Sequence, residues 1–289
     1  MKAIIFGANG QDGFYLNSLL KKESIEVIGV SRSGNFLKTD LTNFKEVIDL
    51  IKKETPQYIF HLAANSTTRH DALFENHETI ATGTLNILEA VKQFSPKTKV
   101  FISGSGLQFR NEGSPIKETD PFEANDAYSI SRIQSVYAAR YFRSLGIKVY
   151  VGYFFNHDSP LRTERHVTKK ISAAAQRIAA GSNEMLEIGD ITVIKEWSFA
   201  GDIVKGIWLL VNQDNIYEAN ISSGKGFSIR EWTEKCFQYS NLDYLSFIVE
   251  NRNFVSPYQS LVSDNSIITS IGYQPEVSFT DLVKLMMDN

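Results

Sequence analysis

Lys2-Ala3-Ile4-Ile5-Phe6-Gly7-Ala8-Asn9-Gly10-Gln11-Asp12-Gly13 opens the chain, and the apolar-periodic segment Phe14 to Leu20 follows it directly. The order reads as strand, glycine loop, helix. Glycines allow the tight turn and bring backbone N–H groups close to a pyrophosphate, while the helix points its positive dipole end at the same place. A glycine triplet alone is a weak signal; set between a strand and a helix it predicts a dinucleotide site.

The spacing is Gly-x-x-Gly-x-x-Gly, with Gly7, Gly10 and Gly13, and resembles the loop of short-chain dehydrogenase/reductases. The second strand, Glu26 to Val30, ends in Ser31-Arg32-Ser33. An NAD site usually has an acidic residue there for the ribose hydroxyls, whereas an arginine can hold a 2′-phosphate. Arg32 therefore points to NADP(H), the alternative being an ordinary solvated cation.

Composition mainly excludes. At 289 residues and 43% hydrophobic content the chain can bury a large core. A net charge of −3 gives no basic footprint for nucleic acid. The single cysteine, Cys236, rules out an internal disulfide and any zinc cluster built on several cysteines, and the five histidines are scattered. No apolar run reaches membrane-spanning length and no signal peptide is evident, so a cytoplasmic protein without metal is expected.

Alternating patterns continue along the chain. Helices are predicted over Asn43 to Lys53, Glu78 to Gln93 and Ala127 to Leu145. Strands are predicted over Tyr58 to Leu62, Val100 to Ser103 and Val149 to Phe155. This is the pattern of an α/β protein, a Rossmann doubly wound parallel sheet, with a smaller C-terminal unit interleaved. Residues 1–160 with 190–222 are expected to form the NADP-binding domain, and 161–189 with 223–289 the substrate domain. Ligands in such sheets sit at the carboxyl ends of the strands.

Ser105 and Tyr128 are the candidates for chemistry. A tyrosine hydroxyl can pass the proton as hydride moves, and a serine can hydrogen-bond the reacting oxygen. A lysine four residues after such a tyrosine stands one helical turn away and favours phenolate. The segment here is Tyr128-Ser129-Ile130-Ser131-Arg132, so the cation is an arginine, with a planar fork that sheds no proton.

The sequence resembles the extended short-chain dehydrogenase/reductases that act on nucleotide sugars, within them the GDP-mannose 4,6-dehydratases and GDP-4-keto-6-deoxymannose reductases. The resemblance rests on the Gln11-Asp12-Gly13 loop, on Asp40-Leu41-Thr42, Leu62-Ala63-Ala64-Asn65-Ser66 and Gly83-Thr84-Leu85, and on Phe155-Asn156-His157-Asp158-Ser159-Pro160. Val167-Thr168-Lys169-Lys170-Ile171, Lys195-Glu196-Trp197 and Ile271-Gly272-Tyr273-Gln274-Pro275 extend it towards the C-terminus. It implies cofactor contacts from Gly7, Asn9, Gly10, Gln11, Asp12, Gly13, Arg32, Asp40, Leu41, Leu62, Ala63, Ala64, Tyr128 and Arg132. It implies substrate contacts from Asn65, Ser66, Asn156, Val167, Lys170 and Lys195, the last standing where the family has arginine. Leu161 replaces the first arginine of the family's Ser-Pro-Arg-Arg run, ahead of Arg162, and His157 and His166, without a catalytic constellation around them, are read as structural or at the substrate edge. A homodimer through the helices Glu78 to Gln93 and Ala127 to Leu145 follows by analogy.

One departure redirects the reading. The dehydratases carry a glutamate two residues beyond the serine or threonine hydroxyl to remove the C5 proton, and that position here is Leu107. Leucine moves no proton. Hydride transfer needs only Tyr128, Ser105 and the cofactor, so the expectation is an NADPH-dependent reductase of a nucleotide-linked 4-keto-6-deoxy sugar, most naturally GDP-linked. A dehydratase with another base, a C4 epimerase, and a non-catalytic nucleotide-binding homologue are the alternatives.

Overall fold

The structure, a computed structural model, describes residues 1–251 and 253–289. The first half runs β1 (Lys2–Phe6), α1 (Gln11–Lys22), β2 (Glu26–Val30), α2 (Phe44–Glu54), β3 (Tyr58–His61), α3 (Leu73–Asn76), α4 (Gly83–Phe94), β4 (Lys99–Ser105), α5 (Ala127–Ser144) and β5 (Val149–Phe154). It continues through β6 (His157–Asp158), α6 (Val167–Ala179), β7 (Leu186–Ile188), β8 (Ile194–Glu196), β9 (Ser198–Phe199), α7 (Ala200–Val211) and β10 (Glu218–Ile221). The last part holds β11 (Gly226–Ser228), α8 (Ile229–Tyr239), β12 (Ile248–Glu250), β13 (Ser260–Leu261), α9 (Ser266–Ser270) and α10 (Phe279–Met287).

Six strands form one parallel sheet in the order β10-β5-β4-β3-β1-β2. Every apolar residue of β1 is used, because successive side chains point to opposite faces. Ile4 and Phe6 pack with α2, α4 and α5, while Ala3 and Ile5 pack with α1 and α7. The sheet is thus covered on both sides, which is why its strands read as continuous apolar runs. Caps written in the sequence fix the helix starts. The Asn43 side chain accepts from the Glu46 N–H, Asp126 accepts from Tyr128 and Ser129, and Ser228 and Glu231 form a reciprocal pair.

The helix expected from Glu78 enters differently. Residues His77–Thr82 form a π-helical stretch continuous with α3 and α4. Gly83 then brings α4 against Leu41 and the buried His61, at distances where a Cβ would touch both.

A third hydrophobic cluster lies outside the main sheet. It gathers Ile171 and Ile178 of α6, Trp232 and Phe237 of α8, and Leu282 and Met286 of α10, with Val193 and Trp197 flanking β8. Beside it β8 pairs with β11 and β13, and β7 pairs with β12. Among the described residues no helix is long and apolar enough to cross a membrane, and no group of three or more His, Cys, Asp or Glu could hold a metal ion.

Candidate active site

The glycine loop is built by sterics. Gly7 has φ +92°, a left-handed conformation open to glycine at little cost, and a Cβ there would lie 2.7 Å from the Ala63 nitrogen. A Cβ at Gly13 would lie 2.4 Å from the Gly7 carbonyl oxygen. The Gly10 N–H donates to the Gly7 carbonyl at 3.0 Å and closes the turn. Helix α1 then starts without a side-chain cap, which leaves its first N–H groups for an anion.

This loop floors a cavity of about 280 Å³ that also receives Leu62, Ala64, Ser66, Ser105, Tyr128, Arg132 and Asn156. A second cavity of about 650 Å³ adjoins it, with Thr68, Leu107, Tyr258 and Leu261 lining both. Val167 and Lys195 line the larger one, and the Lys195 ammonium lies 5.4 Å from the centre of the Tyr258 ring.

The remaining residues singled out in the sequence line neither cavity. Asn9 donates to Ser33 at 2.8 Å, Asp40 accepts from the Thr42 hydroxyl at 2.8 Å, and Leu41 is buried in the core. Ala63 backs Gly7. Arg32 pairs with Glu75 at 3.0 Å, and the other Glu75 oxygen accepts from Asn65 at 2.7 Å. Lys170 donates to the Glu187 carbonyl at 2.6 Å.

The end of β4 and the start of α5 bring the three candidate catalytic side chains together. Ser105 caps the short turn after β4, its hydroxyl accepting from the Leu107 N–H at 3.2 Å while Gln108 accepts from the Ser105 N–H at 2.9 Å. Tyr128 is held in the first turn of α5 by the Asp126 cap. One turn on, the Arg132 guanidinium carbon sits 4.9 Å from the centre of the Tyr128 ring, and Arg132 is 3% exposed. Leu107 stands beside Ser105 with no proton to exchange. Glu123 is the nearest acid in sequence to this turn that lines the larger cavity, its backbone N–H bonded to the Gln108 carbonyl at 2.9 Å.

Sequence reasoning passed over a buried ionic network behind the glycine loop. Asp12 accepts from His157 Nε2 at 2.9 Å, and His157 Nδ1 faces the Phe155 carbonyl at 2.8 Å. Ser159 donates to Gln11 at 2.8 Å, and Arg162 reaches the His157 carbonyl at 2.9 Å and Asp158 at 3.2 Å. Burial by itself pushes the Asp12 pKa up, but the attraction and hydrogen bond of His157, with help from Arg162, hold it below the usual carboxylate value. Burial likewise depresses His157, and Asp12 overrides it and raises the imidazole pKa. Each shift favours the charged form of its group, and the pair ties the glycine loop to the segment carrying Asn156. The one signal in the sequence was Asp12 itself, an acid in a loop shaped for phosphate, which needs a cation close by.

A profile of the GDP-mannose 4,6 dehydratase family matches residues 4–286. GDP-mannose 4,6 dehydratase 2 of Arabidopsis thaliana is 30% identical over 99% of this chain and 86% of its own length. GDP-mannose 4,6-dehydratase of Yersinia enterocolitica is 32% identical over 80% of this chain and 70% of its own. Among solved structures, RMD of Pseudomonas aeruginosa in complex with NADPH matches with a TM-score of 0.89 at 19% identity, over 99% of this chain and 97% of that one. UDP-glucose 4-epimerase of Thermus thermophilus in complex with NAD matches with a TM-score of 0.85 at 19% identity, over 100% and 98%. The last two show a shared fold, the Rossmann-type sheet described above. With a family profile that spans almost the whole sequence and relatives matched over most of their length, the chain belongs to the GDP-mannose 4,6-dehydratase family of the extended short-chain dehydrogenase/reductases.

Proposed function

We propose that the protein reduces a nucleotide-linked 4-keto-6-deoxy sugar, GDP-linked by preference, with NADPH. The residues present fit a nicotinamide dinucleotide. The loop has no room for a Cβ at Gly7 or Gly13, and two buried polar atoms of residues lining the cavity, Asn156 Oδ1 and Arg132 Nε, have no protein partner. When bound, the cofactor supplies the hydride that goes to sugar C4. Tyr128 then protonates the resulting alkoxide, Ser105 orients the ketone oxygen, and Arg132 supports Tyr128 with its charge. Arg32, which pairs with Glu75, would hold the 2′-phosphate. The nucleotide-sugar unit consists of 161–189 and 223–289, with β8 adding its strand, and Val167 and Lys195 face the substrate.

The carrying observation is that Ser105, Tyr128 and Arg132 line one cavity while Leu107, at the position of the eliminating base, cannot move a proton. One observation favours a second reading, a dehydratase. Glu123 lines the larger cavity close to Leu107 in the backbone pairing, and such an enzyme would convert GDP-mannose with no added reductant. For the dimer, support comes from the exposed Tyr137, Tyr141 and Leu145 at α5 and Leu85 on α4. Replacing Tyr128 with phenylalanine tests the reduction. Turnover should fall by about 10²- to 10⁴-fold while NADPH still binds, the range typical of a lost general acid. Retention of most of the rate removes Tyr128 from the chemistry.

A further inference from the structure

Arg132 is a buried cation without an anion. It forms no ion pair among the described residues, and the fully buried His61 imidazole beside it carries no negative charge to offer. Burial first, and Arg132 second, push the His61 pKa down to about 4, so His61 stays neutral. What holds the guanidinium is Ser103. Arg132 Nη1 donates to both the carbonyl and the hydroxyl of Ser103, the latter at 2.8 Å. The same hydroxyl donates onward to the His61 carbonyl at 3.0 Å, so its proton is committed and its lone pair is turned to Arg132. Nε remains without a partner.

We propose that Ser103 is a positioning residue that makes an arginine workable as the cation one helical turn after Tyr128. One guanidinium nitrogen is spent on Ser103, which fixes the fork beneath the Tyr128 ring and leaves the other N–H groups for oxygens of the cofactor and of Tyr128. A lysine has a single nitrogen on a flexible stem and needs no such anchor. The inference rests on the proposed site, and it makes Ser103 and Arg132 energetically coupled.

A double-mutant cycle over Ser103→Ala, Arg132→Lys and the double variant tests it, read first by the NADPH dissociation constant from fluorescence titration and then by kcat and KM on a GDP-4-ketosugar. Ser103→Ala should weaken NADPH binding and lower kcat by roughly 10- to 100-fold, the range for a hydrogen bond to a charged group. It should leave the ketosugar KM nearly unchanged. In the Arg132→Lys background the same change should cost less than about twofold, because independent sites add and coupled sites do not. Ser103→Thr should retain function where the similar-sized Ser103→Val does not, which covers the case of a poorly folding alanine variant. Equal costs in both backgrounds, or no cost in either, overturn the proposal. A wild-type protein that reduces no ketosugar yet shows the coupling in NADPH binding would refute the reductase reading and leave this inference standing. A wild type that binds no nicotinamide dinucleotide overturns both.

Discussion

Replacing His157 with alanine should destabilise the protein sharply, and in a pH-dependent way. Asp12 and His157 are 2.9 Å apart, with side chains 21% and 8% exposed. Two unit charges at that distance attract by about 6 kcal/mol at an effective dielectric near 20. Desolvation cancels several kcal/mol for each ion, so the pair adds little on balance. Removing one partner is different, because the surviving Asp12 carboxylate, 21% exposed, loses its closest cation, at a cost of up to about 3–5 kcal/mol. Arg162 still attracts Asp12, which favours the lower end. The sign follows from the two shifts. His157 is raised, so its contribution is complete below the unfolded value near 6.5 and fades as pH climbs through the folded pKa. Asp12 is lowered, so its contribution is complete above the unfolded value near 4 and fades as pH falls. The difference between wild type and His157→Ala, read by urea unfolding, should therefore be largest between about pH 4.5 and 6.5 and shrink towards pH 9. Asp12→Asn in the same chain should recover most of the loss. A cost below about 1 kcal/mol at pH 6, a cost that does not vary with pH, or no relief from Asp12→Asn would refute the ionic pair.

Gly13→Ala forces a methyl group against the Gly7 carbonyl and the Ala8 backbone, and the expected overpacking of about 1–3 kcal/mol should appear as a 10- to 100-fold loss of NADPH affinity by fluorescence titration. Arg32→Ala should lower the ratio of NADPH to NADH affinity by at least about tenfold, since hydrogen bonds to charged groups contribute about 1.5–3 kcal/mol; an unchanged ratio would make Arg32 no more than the partner of Glu75.

Local signals made most of the architecture legible. The run Lys2 to Phe6, the glycines after it and the Asn43, Asp126 and Ser228 caps each act within a few residues, and each element begins where its cap says. The spacing of Tyr128 and Arg132 likewise puts both on one helix face. What stayed hidden was the pairing of distant segments. His157 lies 145 residues from Asp12, and Ser103 lies 29 from Arg132 at the end of another element, so no periodicity brings them together. The strand β8 was similarly silent, being three residues long and defined only by its partners β11 and β13.

The most direct measurement follows NADPH absorbance when the purified protein meets GDP-4-keto-6-deoxymannose, with GDP-mannose alone as the control. Oxidation that requires the ketosugar, and that disappears in Tyr128→Phe, is the result the account predicts. Conversion of GDP-mannose to its 4-keto product with no reductant present would contradict it and transfer the role of base to a group such as Glu123.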